Sequence, residues 1–346
     1  MNRGIVLMNL GSPDSASVRD VRKYLHQFLM DERVIDIPYL SRFFLVHAVI
    51  APFRAPKSAA LYKSIWTREG SPLIAISNRL RKLLQQDRED DLIVISMRYG
   101  KPSVEDAFNR LQTAGVGEVV LLPLYPHYAM SSYETAVVDA MDVYSKKGYS
   151  FGISTIKPYY DNEKFLNALG ESIRPYLTEE YDHVLFSYHG IPERHVINSD
   201  PTGSHCLKSP DCCTTPSTAH KTCYRHQCHF TTQAMAAQLQ LRPNTYSTSF
   251  QSRLGRDPWL QPYTAELLPK LPAMGIKKLV VVCPAFSADC LETLEEMDVE
   301  GKNLFLQAGG ESFVRVPCLN TNQLWIDTIQ SWLDDIAAGN REMIAG

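Results

Sequence analysis

The run Val184-Leu185-Phe186-Ser187-Tyr188-His189-Gly190-Ile191-Pro192 does most to limit what this chain can fold into. Val, Leu and Phe follow one another without polar interruption, the pattern of a parallel strand covered on both faces, and Gly190 and Pro192 then prevent its continuation. The run predicts a buried strand with His189 at its carboxyl end, where open α/β sheets keep their ligands. A lone histidine there also fits a core or capping role. A second segment, Cys283-Pro284-Ala285-Phe286-Ser287-Ala288-Asp289-Cys290-Leu291-Glu292-Thr293-Leu294-Glu295-Glu296, leaves another buried strand and supplies carboxylates, which favours a functional role for His189.

Strand-like runs recur at residues 4–10, 92–97, 118–124, 183–188, 246–250 and 278–283, with amphipathic helical stretches between most of them. That alternation predicts an α/β fold with parallel sheets. The two halves also resemble each other. Asn9-Leu10-Gly11-Ser12-Pro13 parallels Tyr188-His189-Gly190-Ile191-Pro192, with Leu10 where His189 stands, and a strand followed by Pro123 and Tyr125 parallels one followed by Pro284 and Phe286. Two similar Rossmann-like lobes facing a central cleft are expected, the first over 1–150 and the second over 151–318. The segment 319–346 is expected to return to the first lobe as an amphipathic helix near residues 323–336, with Leu324, Ile326, Ile329, Trp332, Leu333 and Ile336 on its apolar side. No Gly-x-Gly-x-x-Gly follows any strand, so nucleotide chemistry loses its main support.

A length of 346 residues suits two domains, and 21% charged residues with a net charge of −3 give no polyanion-binding signal, which disfavours nucleic acid. Met1-Asn2-Arg3 leads directly into a strand pattern without the apolar middle of a signal peptide, which predicts a cytoplasmic protein. Eight cysteines in that compartment call for a metal or redox explanation and not for disulfides. The longest apolar stretch, residues 39–52, contains Arg42 and His47 and falls short of the roughly 20 residues a bilayer span requires. It reads either as a buried helix or lid, or as an apolar lip resting on a membrane surface.

These segments together resemble the ferrochelatase family over nearly the whole chain. The resemblance begins at Gly4-Ile5-Val6-Leu7-Met8-Asn9-Leu10-Gly11-Ser12-Pro13 and runs through Leu61-Tyr62-Lys63-Ser64-Ile65-Trp66, Met97-Arg98-Tyr99-Gly100 and Leu122-Pro123-Leu124-Tyr125-Pro126-His127-Tyr128. After the His189 and Glu292 segments it continues through Ser252-Arg253-Leu254-Gly255, Pro258-Trp259-Leu260 and Ala308-Gly309-Gly310. The form around His189 is similar to proteobacterial members. The resemblance implies an enzyme that inserts ferrous iron, as substrate, into protoporphyrin IX at the end of haem synthesis, with no nucleotide or redox cofactor needed for the insertion. It also implies a protein peripheral at the inner membrane.

Such a reaction needs a base for two pyrrole protons and ligands that deliver a divalent metal and then release it. Neutral imidazole suits the first and hard carboxylate oxygen the second. On an α-helix starting near Asp289, side chains advance about 100° per residue, so Asp289, Glu292, Glu296 and Glu300 share one face. A solvated helix face is the plainer reading of such a stripe. The resemblance places His189 and Glu292 at the family's two central positions, acting on the macrocycle from opposite faces, with Glu296 and Glu300 extending a metal and proton path toward solvent. Where the family often has a histidine this chain has Cys290. Tyr99, Tyr125, Tyr188, Trp259 and Phe286, at or near strand ends, are candidates both for porphyrin walls and for core, and Arg98 and Lys63 are candidate propionate partners.

The region 200–230 departs from the family's common pattern. Cys206, Cys212, Cys213, Cys223 and Cys228 lie within 23 positions, separated mostly by polar residues, which argues against a core role. Zinc is one reading, without its usual Cys-x-x-Cys spacing, and four thiolates can equally hold a [2Fe–2S] cluster; the resemblance favours iron–sulfur over zinc or free thiols because some family members carry one. Adjacent Cys212 and Cys213 are awkward as joint ligands, yet both are required if Cys228 belongs to the following helix.

Overall fold

The computed structural model, which describes residues 3–177, 180–255 and 257–345, contains two separate four-stranded parallel sheets. The first is built from β1 (Arg3–Ser12), β2 (Asp91–Gly100), β3 (Glu118–Pro123) and β4 (Gly152–Thr155) in the order β2-β1-β3-β4. The second is built from β5 (His183–His189), β6 (Tyr246–Gln251), β7 (Lys278–Val282) and β8 (Ser312–Arg315) in the equivalent order β6-β5-β7-β8. The uninterrupted apolar runs are buried on both faces: Ile5, Val6, Leu7, Val184, Leu185 and Phe186 expose no surface. Helices make the crossovers; that over Val104–Thr113, between β2 and β3, opens on a capping box of Ser103 and Asp106.

The chain divides into two compact units. One comprises the chain through Tyr125, Met130–Lys157 and the part from Gln330 onward; the other comprises Pro126–Ala129 and Pro158–Ile329. The division falls inside the last helix, Gln323–Ala337. Its expected apolar side needs one correction: Leu324 is 38% exposed, and the neighbouring Trp325 is buried in its place. Trp325 packs against the rings of Tyr159 and Phe165, a partnership between distant segments that helical periodicity alone does not specify.

The internal resemblance has a structural counterpart. At Gly11 (φ 107°) an added Cβ would lie 1.8 Å from the Tyr99 carbonyl oxygen on β2, and at Gly190 it would lie 2.6 Å from the Gln251 carbonyl oxygen on β6. In each unit the first strand's exit passes so close to its neighbour that only glycine fits. The four-residue strands β4 and β8, both at sheet edges, are not signalled by the sequence, because runs this short carry too little periodicity.

The apolar stretch forms a helix over Tyr39–Phe44 and then a π-helical turn over Leu45–Ile50, followed by the helix Ala51–Ile65. Only part of it is buried. Tyr39, Leu40, Phe44 and Val49 are each more than half exposed, as is Phe53 just beyond the stretch, whereas Arg42 is buried and donates to the carbonyls of Ile35 and Ile37. Among the described residues no helix is long and apolar enough to cross a membrane.

Candidate active site

His189 is the last residue of β5 and pairs with Gln251 at the end of β6. Its Nδ1 lies 2.6 Å from the Gly190 carbonyl, which assigns the ring proton to Nδ1 and the lone pair to Nε2. The Tyr224 hydroxyl donates to the His189 carbonyl at 2.9 Å, so both the backbone and the ring are oriented. The ring of Phe286, on the loop after β7, stands 6.2 Å from the imidazole.

That loop leads into the acidic helix, which is π-helical over Glu292–Gly301 and not α-helical as its acidic spacing suggests. The i→i+5 hydrogen bonding widens each turn, so the face is set by residues four and five apart. Thr293, Met297 and Gly301 turn inward, and Met297 packs with Leu185, Leu268, Leu279 and Phe305 in the core. Glu292, Glu296 and Glu300 each precede one of these buried residues; Glu292 and Glu296 are half-buried and Glu300 is exposed. Asp289 leaves the expected stripe altogether. It lies before the helix, buried, and accepts from Arg315, Asn320 and Thr293 at 2.7–2.9 Å, while Arg315 also pairs with Asp298 at 2.8 Å.

Gln251 joins the two segments. Its carbonyl accepts from the Gly190 N–H at 2.8 Å, its Oε1 accepts from Ser187 at 2.9 Å, and its Nε2 donates to the Glu292 carbonyl at 3.1 Å and to Glu296 at 3.4 Å. Ser252 follows in a left-handed backbone conformation and gives both its N–H and its hydroxyl to the Glu296 carboxylate. Burial pushes the Glu296 carboxyl up to about 7, reinforced by the Glu292 charge and opposed by the Ser252 and Gln251 hydrogen bonds. Sequence reasoning did not select Gln251, Ser252 or Arg315 for the site. The one available signal was the position of Gln251 and Ser252 at the end of a strand-like run.

Among the other candidates, Phe286 is half-buried, and Trp259 is 9% exposed and pairs by a backbone bridge with Pro192. Tyr188 is fully buried, its hydroxyl 2.9 Å from that of Thr232, as expected for a side chain that alternates with His189 across the strand. In the other unit, Tyr99 is fully buried and donates to Asp31, Tyr125 is buried, and Lys63 is exposed. Arg98 pairs with Asp31 at 2.5 Å and with Asp139 at 3.4 Å.

In the cysteine-rich segment, polar spacing does not keep the sulfurs at the surface as expected: Cys206, Cys212, Cys223 and Cys228 are buried and Cys213 is half-buried. The segment folds around its own thiols. Asp200 accepts from the N–H groups of His205 and Cys206, and the carbonyls of Cys212 and Cys213 are engaged by His205, His220 and His226. Hydrogen bonds from Cys213 and then Cys206 favour the thiolate of Cys223, and Arg225 reaches the Cys212 and Cys213 sulfurs at 3.5 and 3.4 Å. Cys228 instead lies on the helix Tyr224–Gln238 and bonds to Tyr224. The cysteines are all free, and no three His, Cys, Asp or Glu side chains among the described residues are disposed to hold a metal ion.

The ferrochelatase family model matches residues 2–335. The ferrochelatase of Opitutus terrae is 48% identical, covering 96% of this chain and 98% of the relative, and that of Stutzerimonas stutzeri is 45% identical, covering 94% and 96%. In fold, the chain is similar to the sirohydrochlorin chelatase SirB from Bacillus subtilis subspecies spizizenii in complex with cobalt (TM-score 0.54, 12% identity) and to SirB from Bacillus subtilis with Fe3+ (TM-score 0.52, 13% identity), each covering 99% of both chains. The match of the family model across both units, with relatives at nearly half identity over nearly their full length, establishes that this chain belongs to the ferrochelatase family.

Proposed function

We propose that the chain inserts ferrous iron into protoporphyrin IX, forming protohaem and releasing two pyrrole protons. The observation that carries this reading is the meeting of His189 with the Glu292–Glu296 helix through Gln251 at one end of the second sheet. The imidazole, with its lone pair on Nε2, accepts pyrrole protons near neutral pH. Glu292 acts from the other face of the ring as a hard oxygen donor that holds ferrous iron without retaining it. Glu296, ionising near pH 7, can take up a proton and pass it toward exposed Glu300.

Phe286 beside His189 and Trp259 beside Gly190 offer apolar walls to a flat macrocycle. Tyr188, Tyr99 and Tyr125 are buried and fit the core reading; Lys63 is assigned to the propionates, and Arg98 would take one by leaving its pairs with Asp31 and Asp139. We assign the exposed apolar residues of 39–52 to peripheral contact with a membrane surface. A [2Fe–2S] cluster is assigned to Cys206, Cys212, Cys213 and Cys223 on the family resemblance and the suitability of four thiolates for such a cluster; as these side chains are placed, no three of them are disposed to hold a metal ion. No step of metallation passes through the cluster.

The test is metallation by the purified protein, with ferrous iron under anaerobic conditions or with zinc followed by fluorescence, across proto- and coproporphyrin. Turnover with protoporphyrin is expected, falling at least about a hundredfold in His189→Ala and Glu292→Gln at unchanged melting temperature. Preference for coproporphyrin would reassign the substrate. Porphyrin binding without metallation would replace the enzyme by a carrier.

A further inference from the structure

We propose that His26 and His47 form a binding pair for a borderline divalent cation such as zinc, which ties the apolar stretch 39–52 to the helix before it. The inference is independent of the metallation reading, in which neither histidine takes part. His26 lies in the last turn of the helix Val18–Leu29 and His47 in the π-helical turn Leu45–Ile50, and both residues are half-buried. Their Nε2 atoms are in contact, with the ring centroids 4.1 Å apart and the planes at 80°. The Nδ1 of His47 lies 2.9 Å from the Phe43 carbonyl, which assigns the proton to Nδ1 and turns the Nε2 lone pair toward His26. Stacking on Phe43, at 3.9 Å between centroids, fixes the plane of the His47 ring.

A histidine that ligates a metal commonly donates its other ring N–H to a backbone carbonyl in this way. When His26 carries its proton on Nδ1, a second lone pair meets the first. Zinc, at about 2.0–2.1 Å from each imidazole nitrogen, holds two tetrahedral ligands roughly 3.3 Å apart, so a small rotation of the His26 ring admits it. Burial, and then His47, hold the His26 pKa below its ordinary value, so at pH 7 the ring is neutral, the form that binds metal. Among the described residues no carboxylate bonds to either ring. A donor set of two imidazoles selects zinc, copper or nickel over magnesium and calcium, hard ions that need oxygen, and water completes the coordination. Because the ligands come from separate elements, the ion cross-links them and restrains the exposed Phe44 and Val49 on either side of His47.

Zinc is titrated calorimetrically, without porphyrin, into metal-free wild type, His26→Gln, His47→Gln and the double variant. The active-site residues and the cysteines also take zinc, so the reading is the difference between proteins. Each single variant is expected to bind one zinc fewer than wild type, and the double variant no fewer than either, because both rings serve one ion. Zinc is also expected to slow chymotryptic cleavage after Phe44 several-fold in wild type and not in the variants. Glutamine keeps a polar side chain in each place, and melting temperatures without metal show that the variants fold. Equal stoichiometry in all four proteins overturns the proposal, and so do additive losses, which would mean two unrelated sites. Displacement of this zinc by excess magnesium overturns it as well, as does protection of Phe44 that persists in His26→Gln.

Discussion

Ser252 donates its backbone N–H and its hydroxyl to the same carboxylate, that of Glu296, at 2.7 and 2.5 Å, from a backbone held at φ 65°. Left-handed conformation is costly for a residue with a side chain, and such residues persist where the surroundings over-determine them. Here the strain directs two donors at the half-buried acid behind Glu292. Glu296 thus remains a carboxylate that can change protonation at neutral pH and not a permanently neutral acid.

Glu296 ionises near pH 7 in the folded chain against an ordinary value of 4.5. The folded state holds this proton more tightly than the unfolded state, so its contribution to stability is complete below about pH 4.5 and is lost as pH rises through 7. At 1.36 kcal/mol per unit, the ionised group costs about 3 kcal/mol above pH 7. Glu296→Gln is expected to melt close to wild type at pH 4.5 and several degrees above it at pH 8. Calorimetry at the two pH values checks this, and an equal shift at both would contradict it.

Gly190→Ala is expected to displace the His189 loop. The new Cβ meets a backbone oxygen at 2.6 Å and the Trp259 ring at 3.2 Å, and neither can swing aside as a flexible side chain does. A loss of about 1–3 kcal/mol in urea unfolding, together with a fall in metallation larger than that of a surface control, is the predicted outcome.

Arg315 pairs with buried Asp289 and also with Asp298, whose side chain remains partly exposed. Although burial pushes the Asp289 carboxyl up, the Arg315 charge and the bonds from Asn320, Cys318 and Thr293 hold it below the ordinary carboxylate range. Its stabilisation is present at neutral pH and disappears as pH falls through that lowered value. Arg315→Met should cost about 3–5 kcal/mol at pH 7 by stranding Asp289, and much of this should return in Arg315→Met/Asp289→Asn. Denaturant titration of the single and double variants measures both.

Protein purified anaerobically is expected to show visible absorption with iron and acid-labile sulfide, lost on replacing Cys206, Cys212, Cys213 or Cys223 by serine but retained in Cys228→Ser. A colourless, iron-free but active enzyme would remove the cluster.

Phe43→Glu and Phe44→Glu are expected to weaken liposome binding and slow porphyrin uptake without lowering the melting temperature, since Phe44 is 65% exposed and Phe43 37%. Unaltered sedimentation with liposomes would remove the membrane contact.

Six of the eight strands among the described residues, the last helix and the position of His189 at a strand end were legible in the sequence. Apolar runs between glycine and proline report burial on both faces, and that is a local property. The acidic spacing was equally visible, yet it suggested an α-helix, because sequence spacing alone does not distinguish an α- from a π-helical face. Packing of Met297 and Gly301 against Leu268 accompanies the wider turn. The partners that define the site lay beyond sequence reasoning for a related reason. Gln251 is separated from Glu292 by 41 positions, Ser252 from Glu296 by 44 and Arg315 from Asp289 by 26. What each chain segment can become is written in its own order of residues; which donor meets which carboxylate depends on strand pairing and close packing, and these exist only once the sheet has formed.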